Sequence, residues 1–108
     1  MCGIFALINN THDDELIRTA FNKGKHRGPE TSSIIKATVD SKIIIGFNRL
    51  SINGYNDSNS NQPLVYNDCA LICNGEIYNY KQLYHEMGIK GNTKSDCEVI
   101  IHCYTKYG

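Results

Sequence analysis

Apolar positions cluster in short runs separated by polar turns, a pattern that predicts several strands and a few short helices. The run Ile4-Phe5-Ala6-Leu7-Ile8 has strand length and reads as a buried strand. Thr11 or Asp13 is placed to cap a helix opening with Asp13, Asp14 and Glu15, acidic residues that suit the positive end of the helix dipole. Leu16, Ile17, Ala20 and Phe21 mark its apolar face, and Lys23-Gly24-Lys25 close it. His26-Arg27-Gly28-Pro29-Glu30 is a turn or loop because of its glycine-proline pair. Ser33–Val39 and Lys42–Leu50 read as strands joined at Asp40-Ser41, a hairpin. Three isoleucines in a row, Ile43 to Ile45, call for burial on both faces of the second strand.

The remaining chain continues in short elements. Asn53 to Gln62 is a polar loop rich in Asn, Ser, Asp and Gly. Leu64–Tyr66, a turn at Asn67-Asp68 and Cys69–Cys73 predict a second hairpin. Asn79-Tyr80-Lys81-Gln82 has capping-box spacing before a helix with Leu83 and Met87 on one face and Gly88 at its C-terminal cap. Ser95-Asp96-Cys97-Glu98 is a second such box, opening a helix with Val99, Ile100, Cys103 and Tyr104 inward. The expected fold class is therefore α+β with antiparallel sheets.

At 108 residues the chain is one domain at most. Eleven basic and eleven acidic residues give zero formal charge, so no nucleic acid or anionic lipid is expected as a partner. No run spans a bilayer, and the apolar start lacks a basic leader and a cleavage site. The expected location is soluble and cytoplasmic. Five cysteines, an odd number, argue against a disulfide framework, and no Cys-x-x-Cys pair offers a metal site. Buried free thiols are the expectation for all but Cys2, and no metal is expected.

Cys2 differs because removal of Met1 would leave a thiol and a free α-amine on one residue. A free thiol titrates at about 8.5 and an α-amine at about 7.7–8.0. The amine can thus act as the base for its own nucleophile near neutral pH. Gly3 lets a substrate approach the backbone. Other polar residues stand at element ends: Arg49 ends a strand, Asn74, Gly75 and Glu76 end another, and Asp96 opens a helix. Singly each has an ordinary explanation: a surface arginine, a common turn pair, a carboxylate suited to the helix dipole. His26 on its stiff loop is the only histidine offering a cysteine-histidine alternative, and a solvated connector is the simpler reading of that loop.

Five blocks occur in order: Met1-Cys2-Gly3-Ile4-Phe5, His26-Arg27-Gly28-Pro29-Glu30, Asn48-Arg49-Leu50-Ser51-Ile52, Asn74-Gly75-Glu76-Ile77-Tyr78-Asn79 and Ser95-Asp96-Cys97-Glu98-Val99-Ile100. Over almost its whole length the chain resembles the N-terminal glutaminase domain of glutamine-hydrolysing asparagine synthetase, a class II glutamine amidotransferase and N-terminal-nucleophile hydrolase. Glucosamine-6-phosphate synthase and the amidophosphoribosyltransferase of purine synthesis share the Cys2 start. They usually carry threonine-arginine-tryptophan where this chain has Asn48-Arg49-Leu50.

The resemblance implies residues 1–108 form the N-terminal part of a four-layer α/β/β/α sandwich. It implies that Cys2 attacks the side-chain amide of L-glutamine, forming a glutamyl thioester. Asn74 and Gly75 would form the oxyanion hole, and Arg49 would take the substrate carboxylate. Glu76 and Asp96 would hold its ammonium, and backbone near Leu50, Ile52 and Asn53 would line the pocket. The glutaminase step would need no cofactor. ATP and magnesium would serve only a synthetase domain, which is expected to be missing here along with the rest of the sandwich. The strands Ser33–Val39 and Lys42–Leu50 then expect a facing sheet, so a monomer would be marginal without a partner. A separate synthetase chain receiving ammonia, or a homo-oligomer, is the implied partner. The alternatives are a glutaminase subunit serving another amidotransferase and an inactive remnant with a non-enzymatic binding role.

Overall fold

A computed structural model describes residues 1–51 and 57–108. Its elements are β1 (Gly3–Leu7), α1 (Asp14–Asn22), β2 (Thr31–Lys36), β3 (Ile44–Arg49), β4 (Leu64–Tyr66), β5 (Cys69–Leu71), α2 (Tyr80–Met87) and α3 (Val99–Tyr107). Short 3-10 turns stand at Lys25–Arg27, Ser58–Ser60 and Asp96–Glu98. The chain is α+β, with antiparallel sheets as expected. One sheet has the order β1-β3-β2, and β4 pairs with β5 in a two-stranded ribbon. Register sets Phe5 opposite Gly46 and Ile35 opposite Ile45.

Strand β3 is central and buried along its whole length, but of the three isoleucines only Ile44 and Ile45 belong to it; Ile43 precedes it and is exposed. The β2–β3 hairpin forms, but its strands stop at Lys36 and resume at Ile44. Side chains take over the donors between them. Asp40 Oδ1 accepts from Lys42 N–H at 3.1 Å, and Thr38 Oγ1 accepts from Ile43 N–H at 3.1 Å. Such local bonds compete with the sheet ladder and shorten both strands.

Asp13 caps α1, accepting from Leu16 N–H at 2.8 Å. Of the expected face only Ile17 and Phe21 are buried, while Leu16 and Ala20 are exposed. Ile17 and Phe21 are four apart, so they stack along one line of the helix, and that line meets the sheet. Phe21 packs edge-on against Phe5, with ring centroids 5.6 Å apart. It also lies over Gly46, where an added Cβ would sit 2.7 Å from the ring. A side chain at Gly46 would therefore lift α1 from the sheet.

Strand β1 departs from the expected buried strand. It is an edge strand, and Ile4 and Ile8 are 58% and 74% exposed. Residues of a strand alternate between faces, and α1 covers only the face that carries Phe5.

Neither capping box closes. Asn79 makes no side-chain cap bond, and Gln82 instead donates to Glu86 at 2.8 Å. Gly88 does close α2, in the left-handed conformation at φ 68°. Ser95 makes no side-chain cap bond either, and the Glu98 carboxylate takes other partners. The face of α3 is correspondingly different from the expected one. Val99, Ile101 and His102 are buried, while Tyr104 is 63% exposed. The 3-10 turn Asp96–Glu98 precedes α3 and changes its phase relative to a continuous α-helix. All five cysteines are free. Among the described residues no helix is long and apolar enough to cross a membrane.

Candidate active site

A cavity of about 280 Å³ opens where the end of β3, the segment after β5 and the turn before α3 meet. Its lining includes Cys2, Arg49, Leu50, Asn74, Gly75, Glu76 and Asp96. Met1, Phe47, Ser51, Ser60, Gln62, Cys73, Ser95 and Cys97 complete it. The lining comes from five stretches distant in sequence, residues 1–2, 47–51, 60–62, 73–76 and 95–97, so only tertiary packing brings them together. Ile52 and Asn53 lie outside the described residues.

Cys2 precedes β1 and is half-buried. Register puts Gly3 opposite Asn48, so Cys2 arrives beside the end of β3. Its Sγ accepts from Leu50 N–H and donates to Leu50 O, both at 3.3 Å. The thiol is thus held at one backbone residue. Behind it, Arg27 Nε donates to Cys2 O at 3.4 Å. The loop carrying Arg27 crosses β3 closely: a Cβ on Gly28 would lie 2.0 Å from Asn48 O. Only glycine permits that approach. His26 is not in the cavity lining. It is exposed, and its Nδ1 meets Lys23 O at 2.8 Å.

Arg49 is the last residue of β3 and is buried. Its Nη1 donates to Asn61 Oδ1. The loop residue Glu30 reinforces this strand end, its carboxylate accepting from Ser51 N–H at 2.9 Å. A guanidinium presents its donors in a planar fork, the geometry that suits a carboxylate.

Asn74, Gly75 and Glu76 are exposed and follow β5, which ends at Leu71. Asp96 is buried, and its Oδ2 accepts from Ile77 N–H at 2.5 Å. One carboxylate thus ties the start of α3 to the segment after β5 and keeps further acceptor capacity. Cys97 is buried, and its Sγ donates to Gly75 O at 3.6 Å. Burial, and then the neighbouring Cys73 thiol, push the Cys97 thiol far up, so it stays protonated at neutral pH.

Glu98 is the charged residue that the sequence pattern misassigned. It is 3% exposed, yet its carboxylate accepts from Asn92 N–H and Thr93 N–H, both at 2.7 Å. Asn92 Nδ2 lies at 3.1 Å and His102 Nε2 at 3.0 Å. Burial works against the charge, but the Asn92 and Thr93 donors and His102 outweigh it and hold the carboxyl below its ordinary value of 4.5. A depressed folded pKa stabilises the fold above the unfolded value and loses that contribution as pH falls through the folded one. Thermal midpoints are therefore expected to fall as pH drops below about 4.5, and Glu98→Gln should flatten that slope. Melts of both chains between pH 3 and 7 check this; parallel curves would refute the assignment.

Gln62 is the other residue that sequence reading passed over. A glutamine before a proline at the end of a polar loop carries no local signal. Its role lies in a contact with Cys73, eleven residues away. Among the described residues no group of three or more His, Cys, Asp or Glu is arranged to hold a metal ion.

Comparison with known proteins bears on this arrangement. A family model described as a glutamine amidotransferase domain matches residues 1–108. A probable glutamine-hydrolyzing asparagine synthetase from Dictyostelium discoideum is 36% identical over 118 residues, covering 100% of this chain and 20% of its own length. Glutamine-hydrolyzing asparagine synthetase 1 from Bacillus subtilis (strain 168) is 37% identical over 118 residues, covering 99% of this chain and 18% of its own. A probable glutamine-hydrolyzing asparagine synthetase from Schizosaccharomyces pombe is 37% identical over 118 residues, covering 100% and 20%. The chain spans about one fifth of the length of these relatives.

Proposed function

The chain belongs to the glutamine amidotransferase domain family, and from that premise we propose that it hydrolyses L-glutamine through a Cys2 thioester and supplies ammonia for asparagine synthesis. The observation that carries this reading is the convergence of Cys2, Arg49, Asn74, Gly75, Glu76 and Asp96 on one cavity. A glutamine zwitterion needs a cation for its carboxylate, anions for its ammonium, a nucleophile and an oxyanion cradle. The cavity wall carries one residue type for each.

The steps follow from these groups. With Met1 removed, the Cys2 amine takes the thiol proton as Sγ bonds the side-chain carbonyl carbon of glutamine. The oxyanion that forms is met by the Asn74 side-chain amide and Gly75 N–H. The amine returns its proton to the leaving nitrogen, the C–N bond breaks and ammonia departs. Water then attacks the thioester carbonyl, the C–S bond breaks, and glutamate and the free thiol result. Arg49 pairs with the substrate carboxylate, and Glu76 and Asp96 with its ammonium. Residues 1–108 act in this reading as the N-terminal part of the glutaminase domain, in the cytoplasm. The step takes no cofactor, and the ammonia passes to a synthetase active site.

Met1 lines the same cavity, so its removal would both free the amine and open the wall. Intact mass before and after an electrophilic glutamine analogue tests the reading. The expected result is a chain lacking Met1 that gains one adduct, blocked by excess glutamine and absent in Cys2→Ala. A chain lacking Met1 that gains no adduct refutes it.

A further inference from the structure

The segment bearing the oxyanion donors lies outside any sheet. β5 ends at Leu71, and among the described residues no strand pairs with Cys73. Gln62, only 8% exposed, fills that place. Its Oε1 accepts from Cys73 N–H at 2.5 Å, and its Nε2 donates to Cys73 O at 3.1 Å. A strand residue exchanges the same two bonds with its partner in an antiparallel ladder. The two bonds hold consecutive peptide planes, one on each side of the Cys73 Cα. They therefore set both backbone dihedrals of Cys73, and with them the direction in which Asn74 leaves.

We propose that Gln62 is the positioning residue of the oxyanion hole, its carboxamide standing in for a missing strand. This rests on the glutaminase reading and adds to it. A carboxamide alone among the side chains of this length offers one acceptor and an N–H donor in one plane. A glutamate at position 62 would accept from Cys73 N–H but face Cys73 O with a second acceptor. A methionine would fill the space and leave both backbone groups unpaired in a half-buried site. The far side of the segment is pinned separately, by Cys97 on Gly75 O and by Asp96 on Ile77 N–H. Losing Gln62 thus frees the near end while the cavity keeps its remaining wall.

Gln62→Met and Gln62→Glu are expected to lower kcat for glutamine about 10- to 100-fold, with KM within about twofold. Inactivation by a diazoketone glutamine analogue, whose carbonyl uses the same donors, should slow in parallel. Alkylation of Cys2 by iodoacetamide, read on the Cys2 peptide by mass spectrometry, should stay within about twofold. A folded Gln62→Met with the parent's kcat overturns the proposal, as does equal slowing of both reagents. In the parent chain the Cys73 amide should be as protected from hydrogen exchange as the amides of β3. Fast exchange there overturns the proposal even where neither variant folds. A parent chain inert to both glutamine and the diazoketone removes the glutaminase reading itself, and the role of Gln62 with it.

Discussion

Replacing Cys2 with alanine is expected to lower glutamine hydrolysis by at least about 10⁴-fold, the scale seen when a covalent nucleophile is removed. The fold should survive the change. Cys2 is half-buried, and among the described residues its Sγ makes two hydrogen bonds, both at 3.3 Å and both to the Leu50 backbone. Sulfur is a weak donor and acceptor, so losing both costs little stability. The other thiols of the cavity cannot substitute. Burial keeps Cys97 protonated at neutral pH, and it already donates to Gly75 O. Cys73 follows β5 in the segment that Gln62 clamps, and it carries no terminal amine to act as its base. Ammonia release in a coupled assay, beside thermal midpoints of parent and variant, is the measurement. Residual turnover within tenfold of the parent, at an unchanged midpoint, would assign the nucleophile elsewhere.

Asn74→Ala is expected to cost about 100- to 1000-fold in kcat, the loss typical of one oxyanion donor. Its KM should change little, because the donor meets charge that develops only after attack. Asn74 is exposed, so trimming it leaves no buried void. Asn74→Asp should be at least as damaging, since it sets a negative charge where the oxyanion forms. A tenfold rise in KM with kcat intact would instead make Asn74 a residue for binding the ground state.

The larger elements were legible because their signals are local. Asp13 capped α1 and Gly88 closed α2, each through bonds within one turn of chain. Ile44 and Ile45 did mark a central strand, since burial on both faces demands apolar side chains at successive positions, while Ile43 precedes the strand and is exposed. The misreadings share a different cause. Glu98 and Gln82 sit at capping-box spacing, but spacing only permits a bond. Glu98 found four donors on Asn92, Thr93 and His102, and Gln82 found Glu86. The inward face of α3 followed the 3-10 turn before it, which periodicity does not reveal. Ile4 and Ile8 looked buried in sequence, but whether a face of β1 is covered depends on what packs there, and only the Phe5 face meets α1.

By itself the sequence determined the α+β class, the hairpin whose second strand carries Ile44 and Ile45, and the residue types a glutamine-splitting site requires. It also ordered them in blocks similar to a known family. Each follows from chemistry carried by residues close together in the chain. Tertiary structure alone decided that four of the five blocks share one cavity, with the His26–Glu30 block outside its lining. It alone set the Cys2 thiol on the Leu50 backbone and bound Asp96 to Ile77, contacts that span 48 and 19 residues. It also gave Gln62 its place at Cys73. Such contacts come from strand register and helix packing, and no local pattern encodes which distant backbone group a side chain will find.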